Sequence, residues 1–310
     1  MQRFSVFIFS CVSLLASCAS SHHFTAEKSG EGIEIKENGK KVLFYQQRPK
    51  SLNGAYERAG YIHPLYSLNE KILTEEFPAD HPYHRGIFWA WHQIVLDDKK
   101  VADGWTSENI SWVPGKATWH RTQNRIQLST EVCWKSALTK KDKTDIVREK
   151  TRITVHRSTG QYRIVDFDIR LFALVDGLKI GGSDDVKGYG GFCLRLDLPR
   201  NISFHSKDGE VIPKETAVDA GHWVDFNGSF EGASALKSGL TAFDHPLNPD
   251  HPQRWILRRE KSMQNVTFPG RTPVALSKDG MHLRYRIIIH SNEIGAAEVE
   301  RLYQQYILGR

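Results

Sequence analysis

Cysteine and long apolar segments are both scarce in this chain of 310 residues. Of its four cysteines, Cys11 and Cys18 lie near the N-terminus, and only Cys133 and Cys193 are placed to pair within a folded body. The sequence therefore leaves open whether these two cysteines form one disulfide or stay as free thiols. It excludes a framework of several disulfides. No segment after the N-terminal one approaches the roughly 20 apolar residues of a membrane-spanning helix, so we expect none there.

Several motifs that would indicate a known chemistry are also missing. The chain has no H-E-x-x-H, C-x-x-C or cupin-type spacing, and no G-x-S-x-G to support a serine nucleophile. The net charge is +6, but lysine and arginine are spread along the chain without a basic stripe interleaved with aromatics. We therefore predict no nucleic-acid partner, while the mild basicity is compatible with anionic sugars.

The first residues predict export. Arg3 precedes an apolar segment from Phe4 to Ala16 that is too short to persist as a spanning helix and is typical of a signal peptide. The run Leu15-Ala16-Ser17-Cys18 resembles the bacterial lipobox, which implies removal of residues 1–17 and lipidation of Cys18. An ordinary secretory signal with a chance cysteine is the alternative.

A polar segment separates this N-terminus from the folded body. Residues 18–32 are rich in serine, histidine, lysine and glutamate, which predicts a flexible tether. Ala19 follows the cysteine, and by analogy with known sorting signals this favours a bacterial outer membrane lipoprotein, periplasmic or surface-exposed. The lipid anchor would then be the only contact with the membrane.

The body is predicted to be all-β. Asn38-Gly39 between two alternating runs over residues 32–45 is a strong hairpin signal, and Gln161–Leu171 alternates between apolar and charged residues. Helical spacing is clear only in Ala296–Leu308, where apolar residues form one stripe. We therefore expect one domain over residues 33–310. Its fold would be a large antiparallel β-sandwich, with the supersandwich of sugar mutarotases as a candidate, closed by a C-terminal helix.

Histidines concentrate in two segments. The first spans residues 62–92, the second spans residues 243–259, and both contain the text Asp-His-Pro. Proline removes a backbone donor and restricts the residue before it, so these are predicted to be rigid loops rather than strand interiors. We expect the two loops to share one cleft, because rigid polar loops are suited to preorganise a site.

That cleft is the predicted functional site. Histidine can exchange a proton near neutrality, arginine can hold a carboxylate through two bonds, and aromatic rings can stack on a sugar. The predicted catalytic residues are His84, His81, Arg85, His245 and Asp244. The predicted substrate-binding residues are His63, Trp91, His92, Trp105, Tyr189, Arg195, His251 and Trp255. For any one of these residues a purely structural role is the alternative.

A divalent metal is a further possibility for the same side chains. A catalytic zinc needs three protein ligands and an open position. The candidate ligands are His81, His84, His92 and His245. Their spacing matches no specific metal motif, so the sequence leaves the cofactor open.

The motifs together resemble a bacterial family described as PmoA-like. The resemblance is carried by Tyr61–Tyr66, Asp80–Trp91, Gly221–Gly228 and Asp244–Pro249, and it covers roughly residues 33–308. It implies a secreted protein in a setting of polysaccharide degradation, without a defined reaction. Arg254–Arg259 departs from the histidine or glycine-rich stretch of relatives, so substrate choice is expected to differ there.

Two functions follow as hypotheses. The first is an exported carbohydrate-active enzyme, a lyase, hydrolase or epimerase using acid–base chemistry on an oligosaccharide or oxidised sugar. The second is a non-catalytic surface lipoprotein that binds glycans through its aromatic residues.

Overall fold

The computed structural model describes residues 23–137, 143–232, 237–260 and 263–309. One large sheet in this part of the chain has eight strands in the order β1-β2-β3-β6-β7-β15-β21-β20. These strands are β1 (Phe24–Lys28), β2 (Gly32–Glu37), β3 (Lys40–Gln46), β6 (Tyr61–Leu65), β7 (Ile87–Trp91), β15 (Gly190–Leu194), β20 (Arg254–Ile256) and β21 (Gln264–Thr267).

A second large sheet has nine strands in the order β10-β11-β12-β13-β23-β19-β18-β16-β17. They are β10 (Ile110–Arg121), β11 (Arg125–Ala137), β12 (Lys143–His156), β13 (Tyr162–Ala173), β16 (Ser203–Ser206), β17 (Gly209–Glu210), β18 (Trp223–Gly228), β19 (Ser238–Asp244) and β23 (Met281–His290). Two small sheets hold β4 (Lys50–Leu52) with β5 (Ala55–Arg58), and β8 (Gln93–Leu96) with β9 (Lys99–Ala102), β14 (Leu178–Gly181) and β22 (Val274–Ala275).

The main hydrophobic core lies between the two large sheets. Alternation along β13 explains it: Val165 and Phe167 are buried in this core, whereas Asp166 and Asp168 point to the opposite face. Trp89 of β7 reaches the same core from the eight-stranded sheet. All described strand pairs are antiparallel, so the predicted all-β sandwich is confirmed.

The predicted C-terminal helix is also present, as α1 (Ala296–Ile307). Val299, Leu302 and Tyr306 form its buried stripe. They pack against Phe243 and Ile288, which lie on the outer face of the nine-stranded sheet. The helix therefore covers the side of this sheet that faces away from the main core.

The predicted tether is too long. Phe24–Lys28 forms β1, which pairs with β2, so an ordered edge strand occupies part of the expected flexible segment. Phe24 is buried and Ala26 packs against the core, and this apolar alternation outweighs the polar composition. Residues 1–22, with the predicted signal peptide and Cys18, lie outside the described residues.

The two body cysteines are free thiols, which resolves the choice left by the sequence. Cys133 lies on β11 of the nine-stranded sheet, whereas Cys193 is buried on β15 of the other sheet. Among the described helices, none is long and apolar enough to cross a membrane.

Candidate functional site

A second, smaller apolar cluster lies on the outer face of the eight-stranded sheet. Along β7, Trp89 faces the main core, whereas Phe88 and Ala90 face outward into this cluster. Trp105, which follows β9 in the chain, covers them and is 3% exposed. Both faces of the sheet centre are thus buried, which gives side chains above it a rigid base.

Six rings meet above this base, and we call them the histidine–aromatic cluster. Each ring lies within 6 Å of at least one other member, centroid to centroid. The members are His81, Tyr83, His84, His92, Trp105 and Tyr189. All except Tyr83 were predicted site residues, and all lie on or beside the first histidine segment or the start of β15.

Arg85 holds the loop that carries two of these histidines. Its guanidinium donates to the carbonyl oxygens of Pro82 at 2.8 Å, His84 at 3.0 Å and Tyr56. It also lies 3.7 Å from the ring centroid of Phe77. Arg85 is fully buried and its donors hold the loop backbone, so the structure gives no support for its predicted catalytic role.

His81 is held by a carboxylate. Its Nδ1 lies 2.6 Å from Oδ2 of Asp80, and Arg195 donates to both carboxylate oxygens at 3.1 and 2.8 Å. Burial would raise the pKa of Asp80, but the hydrogen bonds from His81 and Arg195 outweigh it and lower the pKa to about 2. The ionised carboxylate only accepts, so His81 donates Nδ1–H and keeps Nε2 for a ligand. Its side chain is 36% exposed.

Arg195 is a positioning residue rather than the predicted substrate-binding one. Its side chain is almost fully buried and also donates to Glu75 at 2.7 Å. Its Nη1 lies 3.3 Å from Nδ1 of His84. Arg195 therefore ties two histidines and two carboxylates into one network beneath the surface.

The surroundings of His84 oppose its predicted role as a proton acceptor. Burial, followed by the nearby Arg195 charge, lowers its pKa to about 2. Arg195 donates to Nδ1, so the neutral ring carries its proton on Nε2. His84 stacks on His81 with centroids 4.8 Å apart, and its edge meets Trp105 at 5.7 Å. It is the packing partner of the exposed imidazole.

His92 repeats the arrangement of His81 on the other side of Trp105. Its Nδ1 lies 3.0 Å from Oδ2 of Asp103, which also accepts from Lys100 at 2.9 Å. Burial opposes ionisation of Asp103, but the His92 hydrogen bond and its other donors lower the pKa of the carboxyl to about 2. The His92 ring stacks on Trp105 at 5.0 Å, and its Nε2 is free for a ligand by the same argument.

Three tyrosines flank the two imidazoles. Tyr83 contacts His81 and Tyr56, and Tyr189 contacts Trp105 at 5.5 Å. All three tyrosines are half-buried, so each combines apolar surface with a hydroxyl. Trp105 itself is buried, so it forms the floor on which these rings pack. It does not present the predicted stacking face.

His63 lies outside the histidine–aromatic cluster. Its Nδ1 is 3.0 Å from the hydroxyl oxygen of Thr74, and burial lowers its pKa. Among the described contacts, none joins its ring to a member of the cluster. The structure gives no support for the predicted substrate-binding role.

Among the described contacts, the histidines of the second segment do not join those of the first; only Arg258, at the end of that segment, reaches Tyr189 of the cluster. Asp244 is fully buried and accepts from Asn248, His251 and the Gln253 backbone, each at 2.8 Å. These bonds shape the loop between β19 and β20. The predicted catalytic role of Asp244 and the binding role of His251 are therefore replaced by a structural one.

His245 lies beneath α1 on the nine-stranded sheet. Its ring edge meets Tyr306 at 4.9 Å, and burial, followed by the charge of Arg284, lowers its pKa to about 4. Among the described residues, no hydrogen bond, ion pair or ring contact joins it to His81, His84 or His92. The structure therefore gives no support for its predicted catalytic role, because His245 lies on the other sheet from these three histidines.

Two predicted binding tryptophans belong to the main core. Trp91 donates through Nε1 to the carbonyl of Phe268 at 2.8 Å, and Trp255 donates to that of Gly221 at 2.9 Å. Both are fully buried, so neither presents a face to a ligand. Strand alternation places them inward, which the sequence pattern alone did not distinguish from a cleft position.

The described residues contain no group of three or more histidine, cysteine, aspartate or glutamate side chains arranged to hold a metal ion. Of the four predicted ligands, His245 lies on the opposite sheet. Nδ1 of His81 and of His92 is already committed to a carboxylate.

Asp103 was not among the predicted site residues, and Asp80 was assigned no role. Asp103 accepts from the backbone N–H groups of Trp105 and Thr106 at 2.9 and 3.0 Å, a turn typical of Asp-Gly sequences. The dipeptide Asp103-Gly104 predicts such a turn. The contact between the Asp103 carboxylate and His92 depends on the β8–β9 hairpin, which the dipeptide does not reveal. Asp80 is adjacent to His81 in the sequence, but it is the hydrogen bond from Arg195 that holds its carboxylate in place.

Comparison with known families corrects the stated resemblance. A family model described as "Family of unknown function (DUF6807)" matches residues 32–304. The match is to this family and not to a PmoA-like one, so that assignment is wrong. No curated protein matches the chain. The implied setting of polysaccharide degradation loses this support, and any function must rest on the site itself.

Proposed function

This chain belongs to the DUF6807 family, whose function is unknown, and we propose that it is an acid–base enzyme acting on a carbohydrate. The observation that carries the proposal is the pair of carboxylate-oriented imidazoles, His81 and His92, at the two ends of one ring cluster. A carboxylate fixes the tautomer and orientation of each ring, as a general acid or base requires.

Proton transfer through Nε2 is the proposed chemistry. In elimination one imidazole takes a proton from a substrate carbon and the other, protonated, gives one to the leaving oxygen; in hydrolysis the first proton comes from the attacking water, and in epimerisation the second proton returns to the opposite face of the same carbon. This balance suits elimination, hydrolysis or epimerisation, which all need one acid and one base. The hydroxyls and ring faces of Tyr56, Tyr83 and Tyr189 supply the mixed polar and apolar surface that a sugar ring needs.

The test is product analysis on a panel of neutral and acidic oligosaccharides by mass spectrometry. Elimination yields products that together equal the substrate mass, hydrolysis adds one water, and epimerisation leaves the mass unchanged. The His81→Gln variant lacks the imidazole that exchanges the proton, so we expect turnover to fall by about 10²–10⁴-fold. The melting temperature should barely change, because His81 is partly exposed.

His245→Gln is the matched control, since it makes the same substitution beneath α1 on the other sheet. It should retain turnover at temperatures below its melting point. If His81→Gln and wild type convert the substrate at equal rates, His81 has no part in the chemistry. Binding without conversion across the panel would favour the glycan-binding lipoprotein instead.

Export and lipidation are part of the same proposal. They rest on the residues 1–18 of the sequence, whose lipobox-like ending places the acceptor thiol at Cys18. An outer membrane location, facing the periplasm or the cell exterior, would bring the domain to polymeric glycans outside the cytoplasm.

A further inference from the structure

A groove with basic walls begins beside the histidine–aromatic cluster. Three separate segments supply its walls: the turn before β15, the segment after β17 and the segment after β20. The charged and apolar side chains that line it include Lys187, Ile212, Lys214, Glu215, Arg258 and Arg259. We call it the basic groove.

Tyr189 connects the basic groove to the cluster. Its ring lies 5.5 Å from that of Trp105 on one side and 5.6 Å from the guanidinium carbon of Arg258 on the other. A chain of sugars that placed one unit beside His92 would therefore run past Tyr189 into the groove.

The groove is a built feature rather than a chance crevice. Arg258 donates to the carbonyl oxygens of Lys214 and Glu215, each at 2.7 Å, which ties two of the walls together. The fully buried Gln264 accepts from the backbone N–H of Arg258 and donates to its carbonyl, both at 2.8 Å. Because these bonds fix the backbone, the positions of the neighbouring charges are preorganised.

Positive charge dominates the groove. Four of its lining side chains are cationic, and Glu215 is the one carboxylate among the described lining residues. Glu215 is 80% exposed and lies 3.8 Å from Lys187, so solvent screens that pair. Lys214 makes no ion pair with any described residue, and Arg259 has only a half-exposed partner at 3.5 Å. Lys187, Lys214 and Arg259 therefore remain available to an anionic ligand.

We propose that the basic groove is a subsite for anionic sugar units, so that the substrate is an acidic oligosaccharide. This inference rests on the proposed function and names its substrate class. The reacting unit would lie against His81 and His92, and the next units would present carboxylate or sulfate groups to Lys187 and Lys214. Arg258 is committed to backbone carbonyls and shapes the subsite without binding the anion.

Calorimetric titration with three oligosaccharides of equal length tests the proposal: a uronic-acid tetramer, a sulfated tetramer and a neutral tetramer. We expect an acidic tetramer to bind at least 10-fold more tightly than the neutral one, with affinity falling as salt rises. The double variant Lys187→Gln/Lys214→Gln should lose at least 10-fold in that affinity. The uronic and sulfated tetramers distinguish which anion the groove prefers.

The matched control is Lys116→Gln/Lys150→Gln, which removes the same charge from the outer face of the nine-stranded sheet. It should bind like wild type, and an equal loss in both double variants would reduce the effect to net charge and overturn the proposal. Equal binding of neutral and acidic tetramers would overturn it too. In the slowly reacting His81→Gln variant the acidic tetramer should still bind at least 10-fold more tightly than the neutral one, so loss of turnover alone cannot be mistaken for loss of the subsite.

Discussion

Three imidazoles in the histidine–aromatic cluster differ in what their ring nitrogens contact. His81 and His92 each face a carboxylate, whereas Nδ1 of His84 faces the guanidinium of Arg195. A carboxylate partner leaves an imidazole able to take a second proton, but a buried cation beside it opposes that proton. The residue type is the same in the three cases, so burial and the charge of the neighbouring group distinguish His84 from the other two rings.

The buried, neutral His84 predicts a pH-dependent stability. In the unfolded chain a histidine titrates near 6.5, but in the folded protein burial and Arg195 lower the pKa of His84 to about 2. Between these values the unfolded state binds more protons, so stability falls as pH falls, by up to about 1.4 kcal/mol per pH unit from this residue. His84→Gln should remove that contribution between pH 6 and pH 4.

Urea denaturation at several pH values measures this slope. His120→Gln is the control, because His120 is exposed on β10 and its replacement should leave the slope unchanged. An unaltered slope in His84→Gln would show that this histidine is not held neutral in the folded protein.

At the scale of elements, loops matter more than strands for the site. The loop before β7 is held by Arg85, and the loop between β19 and β20 is held by Asp244, although their Asp-His-Pro texts are alike. The first places His81 at the surface beside the ring cluster, and the second closes on its own carboxylate. The same short motif therefore serves two different purposes.

Asp244→Asn tests the structural role of the second loop. The amide that replaces the carboxylate turns its NH2 group either toward the Asn248 donor or toward His251 and the Gln253 N–H, so at least one buried bond is lost in either orientation. We expect the free energy of unfolding to fall by at least about 2 kcal/mol, with turnover retained below the melting temperature.

Asp219→Asn is the control in denaturant titrations, because its ion pair with Arg254 is exposed and should contribute at most about 1 kcal/mol. A loss of turnover in folded Asp244→Asn would contradict the separation of the two loops.

Strand positions were largely readable from the sequence, whereas the site was readable only in part. Alternation of apolar and charged residues predicted β13, and an apolar stripe with helical spacing predicted α1. Both predictions succeed because each pattern reports local burial. The partners of His81 and His92 depend on Arg195 of a distant segment and on the β8–β9 hairpin, which no local pattern encodes. Trp91 shows the same limit, since an inward and an outward tryptophan look alike in sequence.

At the scale of the whole molecule, the sandwich places the histidine–aromatic cluster and helix α1 on opposite outer faces. The histidine–aromatic cluster and the basic groove belong to the eight-stranded side, and α1 covers part of the nine-stranded side. The main core between them is largely apolar, and a buried ion pair between Glu37 of β2 and Arg163 of β13 joins the two sheets. The exposed face beside the ring cluster is then the one that must reach its substrate.

Location tests the proposed anchor at the scale of the whole chain. Cys18→Ser removes the acceptor thiol, so we expect the protein to move from the membrane fraction to the soluble fraction of the cell envelope. Membrane fractionation with an antibody against the folded domain measures this, and the Cys133→Ser variant is the control because that thiol lies on β11. Equal membrane association of Cys18→Ser and wild type would contradict lipidation at this position.

The ordered edge strand β1 would limit how far the domain could extend from a lipid anchor at Cys18. Only residues 19–23 separate Cys18 from Phe24, so six residue steps span at most about 22 Å when fully extended. From β1 to β15 the sheet advances by five strand spacings, roughly 24 Å. Catalysis would then be confined to a layer a few nanometres deep above the bilayer, so glycans would have to arrive there, as fragments released elsewhere or as chains held close to the cell.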